Sequence, residues 1–124
     1  MIVIDRDAVR AHLSMRDAIA LLRPAMIALS RGQTRQLLRG IVDLDGGRAF
    51  GVMPGALGGN GAFGAKLVSV YPENFDAGRP SHQGAVVLFD AADGAPVALV
   101  HAGEITAIRT AAASALATDA LARR

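Results

Sequence analysis

The sequence contains no cysteine, which excludes disulfides, thiolate catalysis and cysteine-bound metal ions. It has no apolar run near the roughly 18 residues that a membrane-spanning helix requires. The first segment, MIVIDRDAVRAHL, has no basic stretch leading into an apolar one and does not resemble a secretory signal. These absences predict a cytoplasmic protein without a membrane segment or a metal site.

Clustered positive charge is lacking as well. The 13 lysine and arginine residues give a net charge of only +2, and one tyrosine and four phenylalanines are the only aromatic residues. No nucleic-acid-binding motif is present, so a nucleic acid partner is excluded. A chain of 124 residues with 52% hydrophobic content is long enough to form one domain with its own core.

Helix signals come first along the chain. Asp5 or Asp7 is a suitable N-cap for a short first helix. Residues 14–17 resemble a capping box ahead of a second helix, AIALLRPAMIALSRG. Gly32 is a natural stop for this helix, and Pro24 predicts a kink or a break into two helices.

The middle of the chain predicts strands, and its end predicts another helix. Turn residues at 45–47 and 93–94 separate neighbouring apolar runs and favour antiparallel hairpins. The long polar segment 72–83 predicts a functional loop, and the last helix is expected to begin near Gly103. We expect an α+β fold with a mainly antiparallel sheet between amino-terminal helices and a carboxy-terminal helix. The expected strands are about 36–43, 48–53, 64–71, 84–90 and 96–101.

One glycine pattern is misleading. Residues 59–64, GNGAFG, have the G-x-G-x-x-G spacing of a dinucleotide-binding turn. That turn requires a following helix, whose amino terminus faces the phosphates. The residues that follow, AKLVSVY, predict a strand, so we interpret the pattern as a connection between strands.

Three cations occupy positions that the hydrophobic pattern assigns to the core. Arg39 shares a strand face with Leu37 and Ile41, and Lys66 shares one with Val68 and Val70. Arg109 falls in the apolar stripe of the last helix. A buried, unpaired charge is unfavourable by several kcal/mol, so converging cations predict an anionic small ligand such as a carboxylate. The rest of the helix stripe comprises Ile105, Ile108, Ala112, Leu116 and Ala120.

An alternative remains open for each cation. Each side chain can pack its stem while its charged end reaches water. Arg109 can also pair with Glu104 or Asp119.

Three segments resemble the ornithine cyclodeaminase/μ-crystallin family: GAKLVSVYPEN, RPSHQGAVVLFDAADGAPVAL and GEITAIRTAAASALAT. The resemblance covers nearly the whole chain. That family includes NAD(P)-dependent ornithine cyclodeaminases, alanine dehydrogenases and ketimine reductases. The resemblance implies that residues 1–124 are a substrate-binding and dimerisation domain, the first portion of a longer protein. The Rossmann domain of complete members is absent, so this chain alone is expected to be inactive.

The resemblance also implies roles for individual residues. Arg39 and Arg109 correspond to arginines that bind the substrate carboxylate, and Lys66 to a catalytic lysine beside the substrate amine and carboxylate. Nearby cations would lower the pKa of Lys66 and suit it to proton transfer. Arg39 is aligned through a slightly shifted spacing.

For the cofactor, NAD or NADP, the resemblance implies contacts from Arg109, from Thr110 at a phosphate, and from Ser81 and His82 in the PSHQG segment. The alternative for His82 is an ordinary turn histidine. The expected partners are a small amino-acid or imino-acid substrate and a second copy of the chain. The alternative function is a non-catalytic module that dimerises or binds a small ligand.

Overall fold

A computed structural model describes residues 1–59 and 61–123. The described residues form three α-helices, one sheet and a short 3-10 turn at Pro72–Asn74. The helices are α1 (Arg6–His12), α2 (Met15–Ser30) and α3 (Ala102–Leu121). The strands are β1 (Ile2–Ile4), β2 (Arg35–Gln36), β3 (Gly40–Asp43), β4 (Ala49–Ala56), β5 (Phe63–Val70), β6 (His82–Phe89) and β7 (Pro96–His101).

The sheet has the strand order β1-β7-β6-β5-β4-β2, and β3 also pairs with β4. Every pairing is antiparallel except that of β1 with β7, which is parallel. The α+β class and the mainly antiparallel sheet are confirmed. None of the described helices is long and apolar enough to cross a bilayer.

Helix capping follows the sequence closely. The Asp5 carboxylate accepts a hydrogen bond from the backbone N–H of Ala8 at 2.9 Å, and the Ser14 hydroxyl accepts one from the N–H of Asp17 at 3.1 Å. Gly32 follows the end of α2 with a φ of 66°, a conformation that glycine adopts readily. Pro24 lies inside α2, which is one uninterrupted helix, so the predicted break does not occur.

All three helices lie on one face of the sheet. Val9 of α1 packs with Ala98 and Val100 of β7, and Ile105 and Ile108 of α3 pack against this cluster. No described helix covers the opposite face, whose central row is apolar. From β1 to β4 this row consists of Val3, Leu99, Val87, Ala65 and Pro54.

The predicted strand at 36–43 is two strands instead. Gln36 pairs with Gly55 and Gly40 pairs with Val52, so the outer chain has one residue more than β4 over this interval. β4 also contains Pro54, which has no N–H to donate. The extra residue and the missing donor interrupt the ladder, and Leu38 in the gap is 96% exposed.

Candidate active site

Lys66 lies at the centre of the helix-covered face of the sheet. It pairs with Met53 of β4 on one side and Val86 of β6 on the other. Its side chain is half-buried, and its Nζ donates a hydrogen bond of 3.5 Å to the hydroxyl of Thr106 on α3. Lys66 is also the only lysine in the sequence.

The pKa of the Lys66 ammonium is lowered from its ordinary value. Burial is the largest cause, followed by the positive charges of Arg109 and Arg39. Burial removes water from the charged form, and the two guanidinium groups repel it. The structure thus brings the three cations close enough to interact, and the direction of the pKa shift is the expected one.

Arg39 lies one residue before β3. Gly40 pairs with Val52, and continuing this register by one residue places Arg39 beside Met53, which in turn pairs with Lys66. Its side chain is exposed, so the prediction of a core position is wrong. The physical reason is that β2 and β3 lie at the edge of the sheet, beyond the strands on which α3 packs.

Arg109 is exposed as well, which corrects the prediction that its helix face is buried there. Ile105 and Ile108 direct the stripe towards β6 and β7, and Arg109 stands at the edge of this contact. Thr110 next to it is also exposed. Both lie on a helix that packs chiefly against α2 and, among the strands, on β6, and their exposure shows that this part of its surface is uncovered by the described residues.

The acids that could have paired with Arg109 bind other arginines. Glu104 accepts from Arg10 at 2.9 Å, and Asp119 accepts from Arg23 at 3.3 Å. Within residues 1–59 and 61–123, no ion pair involves Arg39, Lys66 or Arg109. The alternative interpretation of Arg109 as a structural partner of these acids is therefore wrong.

Ser81 and His82 lie further along the sheet. The Ser81 hydroxyl and the His82 Nδ1 are 3.0 Å apart, and His82 begins β6, opposite Val70. Lys66 pairs with Val86, which lies four residues after His82 in β6. At 3.3 Å per residue, Val86 is about 13 Å from His82. These two side chains therefore form a separate group from the three cations, although His82 shares their face of the sheet.

A cavity of about 410 Å³ lies between α2 and the sheet, with Lys66 in its lining. Met26 and Leu29 of α2 form one wall, and Met53 and Val86 form part of the other. This cavity was not predicted from the sequence. Its walls come from segments far apart in the chain, and only the register of β4 with β5 reveals that Met53 neighbours Lys66.

The sequence profile of the ornithine cyclodeaminase/mu-crystallin family matches residues 1–124. The chain belongs to this family. It is 38% identical over 122 residues to the ketimine reductase mu-crystallin of Rattus norvegicus, a match that covers 93% of the chain and 38% of the rat protein.

Solved structures agree with this assignment. The Thermococcus litoralis Delta(1)-pyrroline-2-carboxylate reductase, in complex with NADH and L-proline, superposes with a TM-score of 0.91 at 36% identity, over 99% of the chain and 38% of that protein. An archaeal alanine dehydrogenase dimer with bound NAD has a TM-score of 0.90 at 26% identity, and the match covers 99% of the chain and 38% of that protein. The chain thus spans 38% of the length of these relatives.

Proposed function

We propose that residues 1–124 form the substrate-binding and dimerisation domain of an NAD(P)-dependent enzyme acting on a small amino acid or imino acid. The observation that supports this most directly is that the positive charges of Arg39 and Arg109 both act on Lys66, while no ion pair within the described residues involves any of the three. Such a group favours an anion. A substrate α-carboxylate supplies one.

The two arginines would hold the carboxylate and thereby orient the reacting carbon. A guanidinium binds a carboxylate through two parallel hydrogen bonds, which fix direction as well as position. Both guanidinium charges act on Lys66, and its lowered pKa makes its ammonium a better acid than that of an ordinary lysine. We place Lys66 at the substrate nitrogen, where it gives or takes the proton that accompanies the change between amine and imine.

The uncovered surface of α3 fits a cofactor phosphate. Arg109 and Thr110 are exposed there, and a guanidinium and a hydroxyl are suitable donors to phosphate oxygens. His82 offers a further polar group on the same face of the sheet, and the Ser81 hydroxyl lies 3.0 Å from its Nδ1. When bound, the nicotinamide would exchange a hydride with the substrate Cα.

A second copy of the chain would cover the open face of the sheet. The row from Val3 to Pro54 is apolar throughout, and Val3 is 72% exposed. A continuous apolar sheet face is unfavourable in water and is typical of an interaction surface. Homodimerisation through this face would bury it.

The test is steady-state turnover by the natural protein that contains residues 1–124. We expect oxidation of NADH or NADPH with a cyclic imine carboxylate, reduction of NAD⁺ with L-alanine, or release of ammonia from L-ornithine, whose conversion to proline returns the hydride and regenerates NAD⁺. Lys66→Met is expected to lower kcat, and Arg23→Ala, which removes an exposed guanidinium elsewhere on the molecule, is the control. Binding of L-proline without turnover of any of these compounds would instead support a non-catalytic module.

A further inference from the structure

The cavity beside Lys66 offers a space for the side chain of a substrate. Apolar groups from both walls line it, including Met26, Leu29, Met53, Val86 and Leu88. Its volume of about 410 Å³ is within the range of small-molecule sites. A substrate whose carboxylate is held by the cations around Lys66 therefore has an apolar space next to its binding point.

The charges in this cavity are of one sign. Lys66 and Arg35 are the charged side chains among its described lining residues, and none of the chain's 11 acidic residues is in that lining. The charges that act on Lys66 are also those of cations. A second ammonium on a substrate would lose water there and meet only like charge, which is unfavourable on both counts.

We propose that this cavity receives the substrate's side chain and selects an uncharged one, so that monoamino acids and their imines are accepted and diamino acids are rejected. This inference rests on the proposed function, because it takes the cations at Lys66 as the carboxylate site. It also assigns specificity to Met26 and Met53, to which the sequence analysis gave no role.

The test compares two ligands that differ by one group. L-Norvaline and L-ornithine have the same carbon chain, and ornithine carries an additional δ-ammonium. Isothermal titration of each into the natural protein containing residues 1–124, with NAD⁺ present, is expected to give a Kd about tenfold or more lower for norvaline. Equal affinities, or tighter ornithine binding, would overturn the inference while leaving the carboxylate site intact. No binding of either would overturn the proposed function as well.

A matched pair of variants tests whether the side chain enters this cavity. Met26 is 45% exposed, so a polar substitution is tolerable there. Met26→Glu adds a carboxylate to the wall and should shift the preference towards ornithine by about tenfold. Met26→Gln, of nearly the same shape but uncharged, should keep the wild-type preference. If both variants keep that preference and melt like the wild type, the side chain binds elsewhere and the inference is wrong.

Discussion

Lys66 differs in kind from the other basic residues. The chain has no other lysine, and its remaining Lys/Arg positions are all arginines. An arginine side chain stays charged at every pH at which proteins remain folded. A lysine can release its proton, and the neighbouring guanidinium groups make that release easier. The proposed proton transfer requires a group that can gain and lose a proton, and the proposed carboxylate binding requires groups that stay charged. Lys66 provides the first kind of group, and the two arginines provide the second.

The lowered pKa of Lys66 predicts a pH-dependent cost to stability. The unfolded chain, with the ordinary pKa near 10.5, binds the proton more tightly than the folded one. Protonated Lys66 therefore destabilises the fold at neutral pH, and the cost fades as pH rises from the lowered pKa towards the ordinary one. Lys66→Met should be more stable than wild type at pH 7, and the difference should shrink towards pH about 10.

Urea unfolding at a series of pH values measures this difference. Lys66→Arg is the control, because arginine keeps its charge over the whole range, and its stability relative to Lys66→Met should stay constant with pH. A Met variant whose advantage is the same at pH 7 and pH 10 would contradict the expected linkage.

Replacing Arg109 tests the carboxylate site. In the natural protein, Arg109→Ala should lower kcat/KM by about tenfold or more, since it removes a charge-assisted contact. Arg109→Lys should recover little, because it keeps the charge and loses the paired donors. The melting temperature should change little, as Arg109 makes no ion pair within the described residues. A large loss of stability with near-normal turnover would exclude this role.

Among the elements, signals confined to a few neighbouring residues were predicted well. The caps at Asp5 and Ser14 and the antiparallel hairpins depend on contacts within one turn, and the structure confirms them. β1 was missed, because three residues are too few to show a period and its partner is distant in the sequence. The interruption before β3 was missed for a related reason, since it depends on Pro54 in the facing strand.

The cap of α2 gives a prediction at this scale. Ser14→Ala removes the acceptor for the N–H of Asp17 and should lower the free energy of unfolding by about 1 kcal/mol. Ser114→Ala is the control, because that hydroxyl donates to the Thr110 carbonyl inside α3 and caps no free N–H. Alanine favours helix there, so the control should be neutral or slightly stabilising. Equal losses in urea unfolding would contradict the assignment of the cap.

At the scale of the whole molecule, the exposure of Arg39 and Arg109 was predicted wrongly from the sequence. Periodicity placed Arg39 and Arg109 in the core because it assumes that every apolar face is covered. Among the described residues, the helices cover one side of the sheet and leave β3 exposed. Which face is covered depends on how the elements pack, and a single sequence contains no direct record of it.

The open sheet face predicts how the molecule associates. Val87→Arg places a charge in the middle of the apolar row and should weaken self-association by about tenfold or more. Ala20→Arg is the control, since Ala20 is exposed on α2, on the helix side. Sedimentation at micromolar concentration should show a dimer for wild type and control. A wild-type chain that sediments as a monomer would contradict the proposed interface.

The pairing of β1 with β7 has a consequence for synthesis. Ile2 aligns with Ala98, so the first strand leaves the ribosome long before its partner exists, by about 5–20 s at typical elongation rates. Until β7 has been synthesised, Ile2, Val3 and Ile4 have no strand with which to form backbone hydrogen bonds. The sheet is therefore completed late in synthesis. Until then, the unpaired backbone groups of β1 are exposed to incorrect pairing with other strands.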